Sequence, residues 1–294
     1  MNFLALLFGL GLERALTHFF HLRAFHWLDP LFDRVLARLA GRRSGLAAAG
    51  IAGLALLLTA PVGWASMVLS VQSVQWPYFL FAIVVLLFSL GPRDLQEEVE
   101  EYCAATQDAG GSEAQRLACE LLGFDPGAGT EELPRQVHRA IFVQANNRIF
   151  GVVFWFLVLG PAGPAGAWLF RVLDLLRQRA LARQQAVTPA RLVHGLAAWL
   201  PGRLMVGAFA LAGNFVGTIA GWRAAEAGNR EAFFQRTETR IAGAGEGACR
   251  ESATAASAEG AAGLAQQALG LVRRALWLIW YPLVALLTLN NWLR

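Results

Sequence analysis

Arg171 and Asp174 stand three residues apart, a spacing that puts a guanidinium and a carboxylate on one helix face. With Asn146, Asn147 and Arg148 upstream and Arg203 downstream, they supply the donors and the charge for a polar ligand site. The alternative reading of Arg171 and Asp174 is a local ion pair at a membrane surface, which contributes little. Glu13, followed by Arg14, closes the first apolar segment. It is either half of a stop-transfer charge pair or a buried carboxylate neutralised by an arginine from elsewhere. His18, His21 and His26 resemble a metal cluster in type, but only Asp29 lies near them, so they read as interfacial imidazoles and no metal is expected. The acidic run at 97–101 reads as a solvated helix face, because paired carboxylates need a pocket for acid–base work.

Several chemistries are excluded outright. All 25 basic residues are Arg, so neither a P-loop nor a Schiff-base lysine is possible. No G-x-S-x-G, G-x-G-x-x-G, H-E-x-x-H or C-x-x-C pattern occurs. Cys103, Cys119 and Cys249 form an odd set and read as reduced or buried thiols. No catalytic residue and no cofactor is therefore assigned.

The elements that must position these residues are apolar. Residues 148–179 read RIFGVVFWFLVLGPAGPAGAWLFRVLDLLRQR, a run broken at Gly160-Pro161 and Gly163-Pro164. Each half falls short of the roughly 20 residues a crossing needs. Broken helices at membrane depth persist only where protein or water satisfies the freed backbone, and ionisable residues beside such a break point to function. Hydrophobic residues make up 56% of the 294, charged residues 16%, and mean hydropathy is +0.44. The charged fraction of ordinary soluble domains is about 25%. The fold class is therefore all-α: a polytopic membrane protein with a broken, re-entrant helical hairpin and cytoplasmic helical segments.

Apolar stretches near 2–12, 46–71, 76–91, 148–176, 204–221 and 271–289 are candidates for insertion. The first lacks a basic leader and a cleavage site, so it reads as a retained membrane segment rather than a signal peptide. Residues 14–43 carry six Arg and the turn at 72–75 none, which places the former inside and the latter outside. Five segments follow: 1–91, membrane segments with a basic loop; 92–147, a cytoplasmic helical segment; 148–221, the hairpin and a basic connector; 222–268, an Ala/Gly-rich helical segment; and 269–294, a C-terminal transmembrane helix. Within 92–147, Asp94, Glu97 and Glu98 favour one helix start, Ser112 opens a second helix and Thr130 caps a third. Residues 177–203 form the basic connector, which stays inside if the chain folds back at 160–164. Its helix starts at Thr188-Pro189 and is interrupted at Pro201. Residues 204–221 fit either a span or a second re-entrant element. Glycine between 242 and 263 implies loosely packed helix. The Arg clusters flank apolar runs, so the expected partner is the lipid bilayer and not nucleic acid.

The words ANNRIFGVVFWFLVLGPAGPAGAWLFRVLDLL (145–176) and AAWLPGRLMVGAFALAGNF (197–215) resemble the AmpE family over nearly the whole chain. The most specific parts are Phe154 to Pro161, the Arg171/Asp174 pair and Leu200 to Arg203. Glu13 matches the glutamate in that family's first apolar segment, while Asn147 replaces the glutamate of its E-R pair. The resemblance implies a multi-pass protein of the bacterial inner membrane, a non-catalytic regulator tied to β-lactamase induction and cell-wall state. It also implies a cytoplasmic or membrane protein partner or a cell-wall-derived ligand. AmpE in turn is distantly similar to the CbiB/CobD cobinamide-phosphate synthase family, whose hairpin reads about A-E-N-x-x-D-G-V-V with a later T-L-D. Here Asn146 stands for the glutamate and Phe150 for the first aspartate; only Asp174 matches the last. A membrane-bound synthase of that type and a small-molecule transporter are the two alternatives.

Overall fold

The computed structural model describes residues 25–71, 76–90, 94–107, 111–124, 132–227, 233–249 and 260–277, with Pro282 and Ala285. Among them the chain is helical, and no strand occurs. Glu13, His18, His21 and Thr130 lie outside the described residues, as does most of the apolar C-terminal segment. Among the described residues three helical stretches, Ser44–Ser70, Leu133–Val158 and Val187–Ala212, are long and apolar enough to cross a membrane. The chain gathers into two compact units: Met1–Pro92 with Asn147–Ala198 and Leu283–Arg294, and Arg93–Asn146 with Trp199–Pro282.

The first unit contains α1 (Asp29–Leu39), α2 (Ser44–Ser70), α3 (Trp76–Ser89), α7 (Gly151–Val158), α8 (Gly163–Arg183) and the start of α9 (Val187–Ala212). On α2 the buried positions Ala47, Ile51, Ala55 and Thr59 recur every fourth residue and form one face. Leu56, Leu57, Trp64 and Met67 point outward, as on a helix surrounded by lipid. The core joins Phe32 and Leu36 of α1, Ile51 and Ala55 of α2, and Val172, Leu173, Leu176 and Ala180 of α8. The apolar run at 76–91 yields only the 14 residues of α3. Its length of about 21 Å is less than a hydrocarbon core of about 30 Å.

The break at 160–164 is where the residue types place it. Gly160 ends α7 at φ +55°, Pro161 opens a single 3-10 turn (Gly160–Ala162), and Pro164 sits in the first turn of α8. The two limbs pack closely: a Cβ on Gly166 would stand 3.0 Å from the Trp155 carbonyl oxygen. The first limb is longer than the sequence suggests. A π turn, Asn146–Phe150, joins α7 to α6 (Leu133–Ala145), and Leu133–Val158 forms one apolar stretch of 26 residues.

Two sequence expectations fail in this part of the chain. Residues 177–183 are the end of α8 rather than a connector, and the link to α9 is only 184–186. Their arginines continue the helix because carboxylates receive them: Arg179 and Arg183 both grip Asp33 of α1, at 2.7 and 2.9 Å. Nor does Pro201 interrupt α9. Proline has no N–H, so the carbonyl four residues earlier, at Ala197, loses its helical donor. The Trp155 indole N–H donates to that oxygen instead, at 3.1 Å. Two more aromatic tips reach backbone oxygens: Trp168 donates to the Leu58 carbonyl (3.3 Å), next to the Leu57 oxygen that Pro61 leaves without its helical donor, and Tyr78 to the Pro161 carbonyl (3.3 Å). The backbone oxygen freed by Pro201 is thus met by a side chain, as a lipid setting demands.

The second unit contains α4 (Leu95–Gln107), α5 (Gly111–Leu122), α6, the end of α9, α10 (Phe215–Ala227), α11 (Thr237–Ala248) and α12 (Gly260–Ala275). Asp94 caps α4, accepting from the Gln96 N–H at 3.0 Å, whereas α5 starts at Gly111, ahead of Ser112. Val99 and Tyr102 of α4, Leu121 of α5, Ile141 of α6, and Leu271 and Val272 of α12 are all buried. The stretch 204–221 is broken at Gly213–Asn214, where Asn214 Oδ1 accepts from the Gly217 N–H and caps α10.

The loose packing expected for the glycine-rich region is overturned in its described part on α11. A Cβ on Gly217 would lie 2.1 Å from the Gly247 carbonyl oxygen, and one on Gly221 would lie 2.0 Å from that of Gly243. Two small-residue ridges with four-residue spacing let α10 and α11 touch backbone to backbone. Glycine's weak helix propensity is offset by a contact that any side chain would prevent.

Candidate functional site

In the first unit Asp174 is fully buried on α8. Its Oδ2 accepts from Arg171 Nη1 at 3.1 Å and from Gln178 Nε2 at 2.7 Å. Its Oδ1 accepts from Arg177 Nη2 at 2.7 Å and Nε at 3.2 Å, and His194 Nε2 of α9 lies 3.9 Å away. A carboxylate has about four acceptor positions, so these donors saturate it. It cannot ligate a metal or take up a proton without giving up a partner. Arg171 and Arg177 are themselves buried, so the carboxylate compensates their positive charge.

The structure brings Arg171 and Asp174 together as their spacing implies. It adds Arg177, Gln178 and His194, which sequence reasoning missed. Two of those were legible, since Arg177 and Gln178 are three and four residues past Asp174 on one helix. Asn146, Asn147 and Arg148 sit in the π turn, all buried. Such turns are rare single-turn widenings, frequent at functional sites, and no sequence rule marks this one. Among the described residues no cluster of three or more His, Cys, Asp or Glu could hold a metal ion.

Outside this cluster, Asp33 is pulled down to about 2 by the Arg179 guanidinium that hydrogen-bonds it, with Arg183 adding to the effect. Burial pushes the Cys249 thiol up to about 11, which leaves it protonated and unreactive.

Arg203 belongs to the second unit. It is exposed and lies over the Trp199 ring at 4.5 Å, with the Trp222 and Phe233 rings each at 5.8 Å. A small solvent-open groove runs here, lined by Trp199, Arg203, Trp222, Thr237 and Arg240 among others. Arg240 stands over Phe233 at 4.4 Å and pairs with Glu226 at 2.9 Å. Burial lowers the Arg240 pKa and Arg203 and Arg236 add repulsion, against the pull of Glu226. The sequence signal here was Trp199 four residues before Arg203; Trp222, Phe233 and Arg240 come from elsewhere in the chain.

A family model described as "Regulatory signalling modulator protein AmpE" matches residues 1–290. No curated protein and no solved structure matches the chain.

Proposed function

Because this chain belongs to the AmpE family of regulatory signalling modulators, we propose that it is a non-catalytic, multi-pass protein of the bacterial inner membrane that modulates β-lactamase induction in response to cell-wall state. The observation that carries the non-catalytic part is the saturation of Asp174. Of the three carboxylate positions suggested by the distant synthase resemblance, Asn146 and Phe150 cannot ionise, and Asp174 is enclosed by donors on its own helix. In this reading Asn147, Arg148, Arg171 and Asp174 hold the hairpin's inner polar surface together rather than a substrate. The signal arrives through a protein partner or a cell-wall-derived ligand, and Glu13 of the first apolar segment is a candidate contact.

The hairpin enters and leaves the bilayer from the cytoplasmic side, which keeps Arg177, Arg179, Arg183 and Arg191 inside. Cysteines placed singly at Gly110 and Gln185 should both resist a membrane-impermeant thiol reagent added from outside and label after permeabilisation. External labelling of one but not the other would sink this topology.

Two measurements test the function itself. A strain lacking the gene should show an altered β-lactamase reporter response to a cell-wall antibiotic, restored by the full-length protein. Purified protein given a corrinoid acid and aminopropanol phosphate should yield no amide by mass spectrometry. An unchanged reporter would overturn the regulatory reading, and turnover would overturn the non-catalytic one.

A further inference from the structure

The groove beside Arg203 holds donors in excess. The indole N–H groups of Trp199 and Trp222 and the Nε–H of Arg240 are buried without a hydrogen-bond partner among the described residues. Buried polar atoms of folded proteins are nearly always paired, so three orphan donors on residues that line one groove leave room there for a further acceptor. Arg240 is 7% exposed, which makes its orphan donor part of a built site rather than a surface accident. Charge points the same way. Arg203 and Arg240 are balanced there by Glu226, whose side chain is 42% exposed and whose pairing is with Arg240. The lining residue Thr237 opens the 12-residue α11, and the positive end of that helix faces the same region.

We propose that this groove binds a phosphoryl group carried on an apolar body. The donors belong to four side chains on three helices, α9, α10 and α11. A tetrahedral phosphate, with two terminal oxygens in a diester and three in a monoester, can meet donors arriving from several directions, whereas a carboxylate presents its oxygens in one plane. The rings of Trp199, Trp222 and Phe233 supply apolar walls. Beside Arg203 on α9, Leu200, Leu204 and Leu211 are exposed and could lie along an acyl chain. The phosphoryl group therefore comes either from an anionic phospholipid or from a free phosphorylated compound. The inference does not depend on the regulatory reading above.

The test uses full-length protein in a maltoside detergent, with phosphatidylglycerol as the probe and native mass spectrometry as the readout. Wild type should retain the lipid. Arg203→Gln, an exposed change that leaves the fold alone, should weaken retention about tenfold, the loss typical of a hydrogen bond to a charged group. Trp222→Phe keeps an aromatic wall, removes the donor and should weaken retention severalfold. Arg116→Gln, at an exposed arginine of α5 that pairs with Glu113, should change nothing. Displacement by inorganic phosphate would assign the site to phosphoryl groups at large, and failure to displace would assign it to the lipid. Equal retention by wild type, Arg203→Gln and Trp222→Phe, or equal retention of neutral diacylglycerol, would overturn the proposal.

Discussion

The Asp174 cluster of the first unit and the Arg203 groove of the second both bury arginine, with opposite results. Around Asp174 the donors come mainly from one helix, at positions three and four residues away, and a single carboxylate uses all its lone pairs on them. Around Arg203 and Arg240 the parts come from three helices, and buried N–H groups exceed the acceptors that the described residues supply. The first arrangement forms wherever α8 forms. The second exists only while α10 and α11 keep their spacing, because Trp222 lies on one and Arg240 on the other. A cluster assembled within one helix closes on itself, and one assembled across helices can leave room for something else.

That contrast can be broken most forcefully at Asp174. Asp174→Asn keeps the size and removes the charge, leaving buried guanidiniums uncompensated, and should cost about 3–5 kcal/mol. Thermal unfolding in detergent should show a large drop, while Arg203→Gln, outside any such cluster, melts close to wild type. Equal melting of Asp174→Asn and wild type would show that the cluster is not closed.

Next in size is Gly221→Ala. Its Cβ would sit 2.0 Å from the Gly243 carbonyl oxygen, so the helix pair must separate. The expected cost is about 1–3 kcal/mol, accompanied by loss of phosphatidylglycerol retention as the groove walls part. Gly53→Ala on α2, where a Cβ would meet nothing within 4 Å, should be harmless.

Trp155→Phe removes the donor that reaches the Ala197 carbonyl and should cost about 1 kcal/mol. In a Pro201→Ala background the backbone N–H returns, and the same change should cost less. A double-mutant cycle on the melting midpoint measures the difference.

The smallest effect concerns Asp33. Its folded pKa, lowered to about 2 by Arg179, lies below the ordinary aspartate value of about 3.9. A depressed acid stabilises the fold above its unfolded pKa, and that contribution is lost as pH falls through the folded value. The melting difference between wild type and Asp33→Asn should therefore be flat from neutral pH to about pH 5 and shrink between about pH 4 and 2.

Local chemistry was the legible part. The break at 160–164 follows from glycine and proline themselves, and the Arg171/Asp174 pairing from helical spacing. Pro201 was misjudged because proline's lost hydrogen bond is a local fact, whereas its replacement by Trp155 is tertiary. The arginines at 177–183 resembled a solvated connector because their acceptors are an aspartate one turn back and another on α1. In the glycine-rich stretch, propensity describes an isolated helix and says nothing of a neighbour that approaches only where side chains are missing. The groove at Arg203 stayed hidden because most of its walls come from distant parts of the sequence.

Discontinuity of the second unit sets a schedule for its birth. Cys103 of α4 donates to the Ala262 carbonyl of α12, 159 residues further along the chain. At about 5–20 residues per second, a ribosome takes roughly 10–30 s to deliver that partner. For that interval the apolar face of α4, with Val99 and Tyr102, has only its near neighbours for cover. Expression at a slower elongation rate would lengthen the exposure, so yield in this protein should be limited by the waiting time of its earliest helices rather than by the stability of the finished molecule.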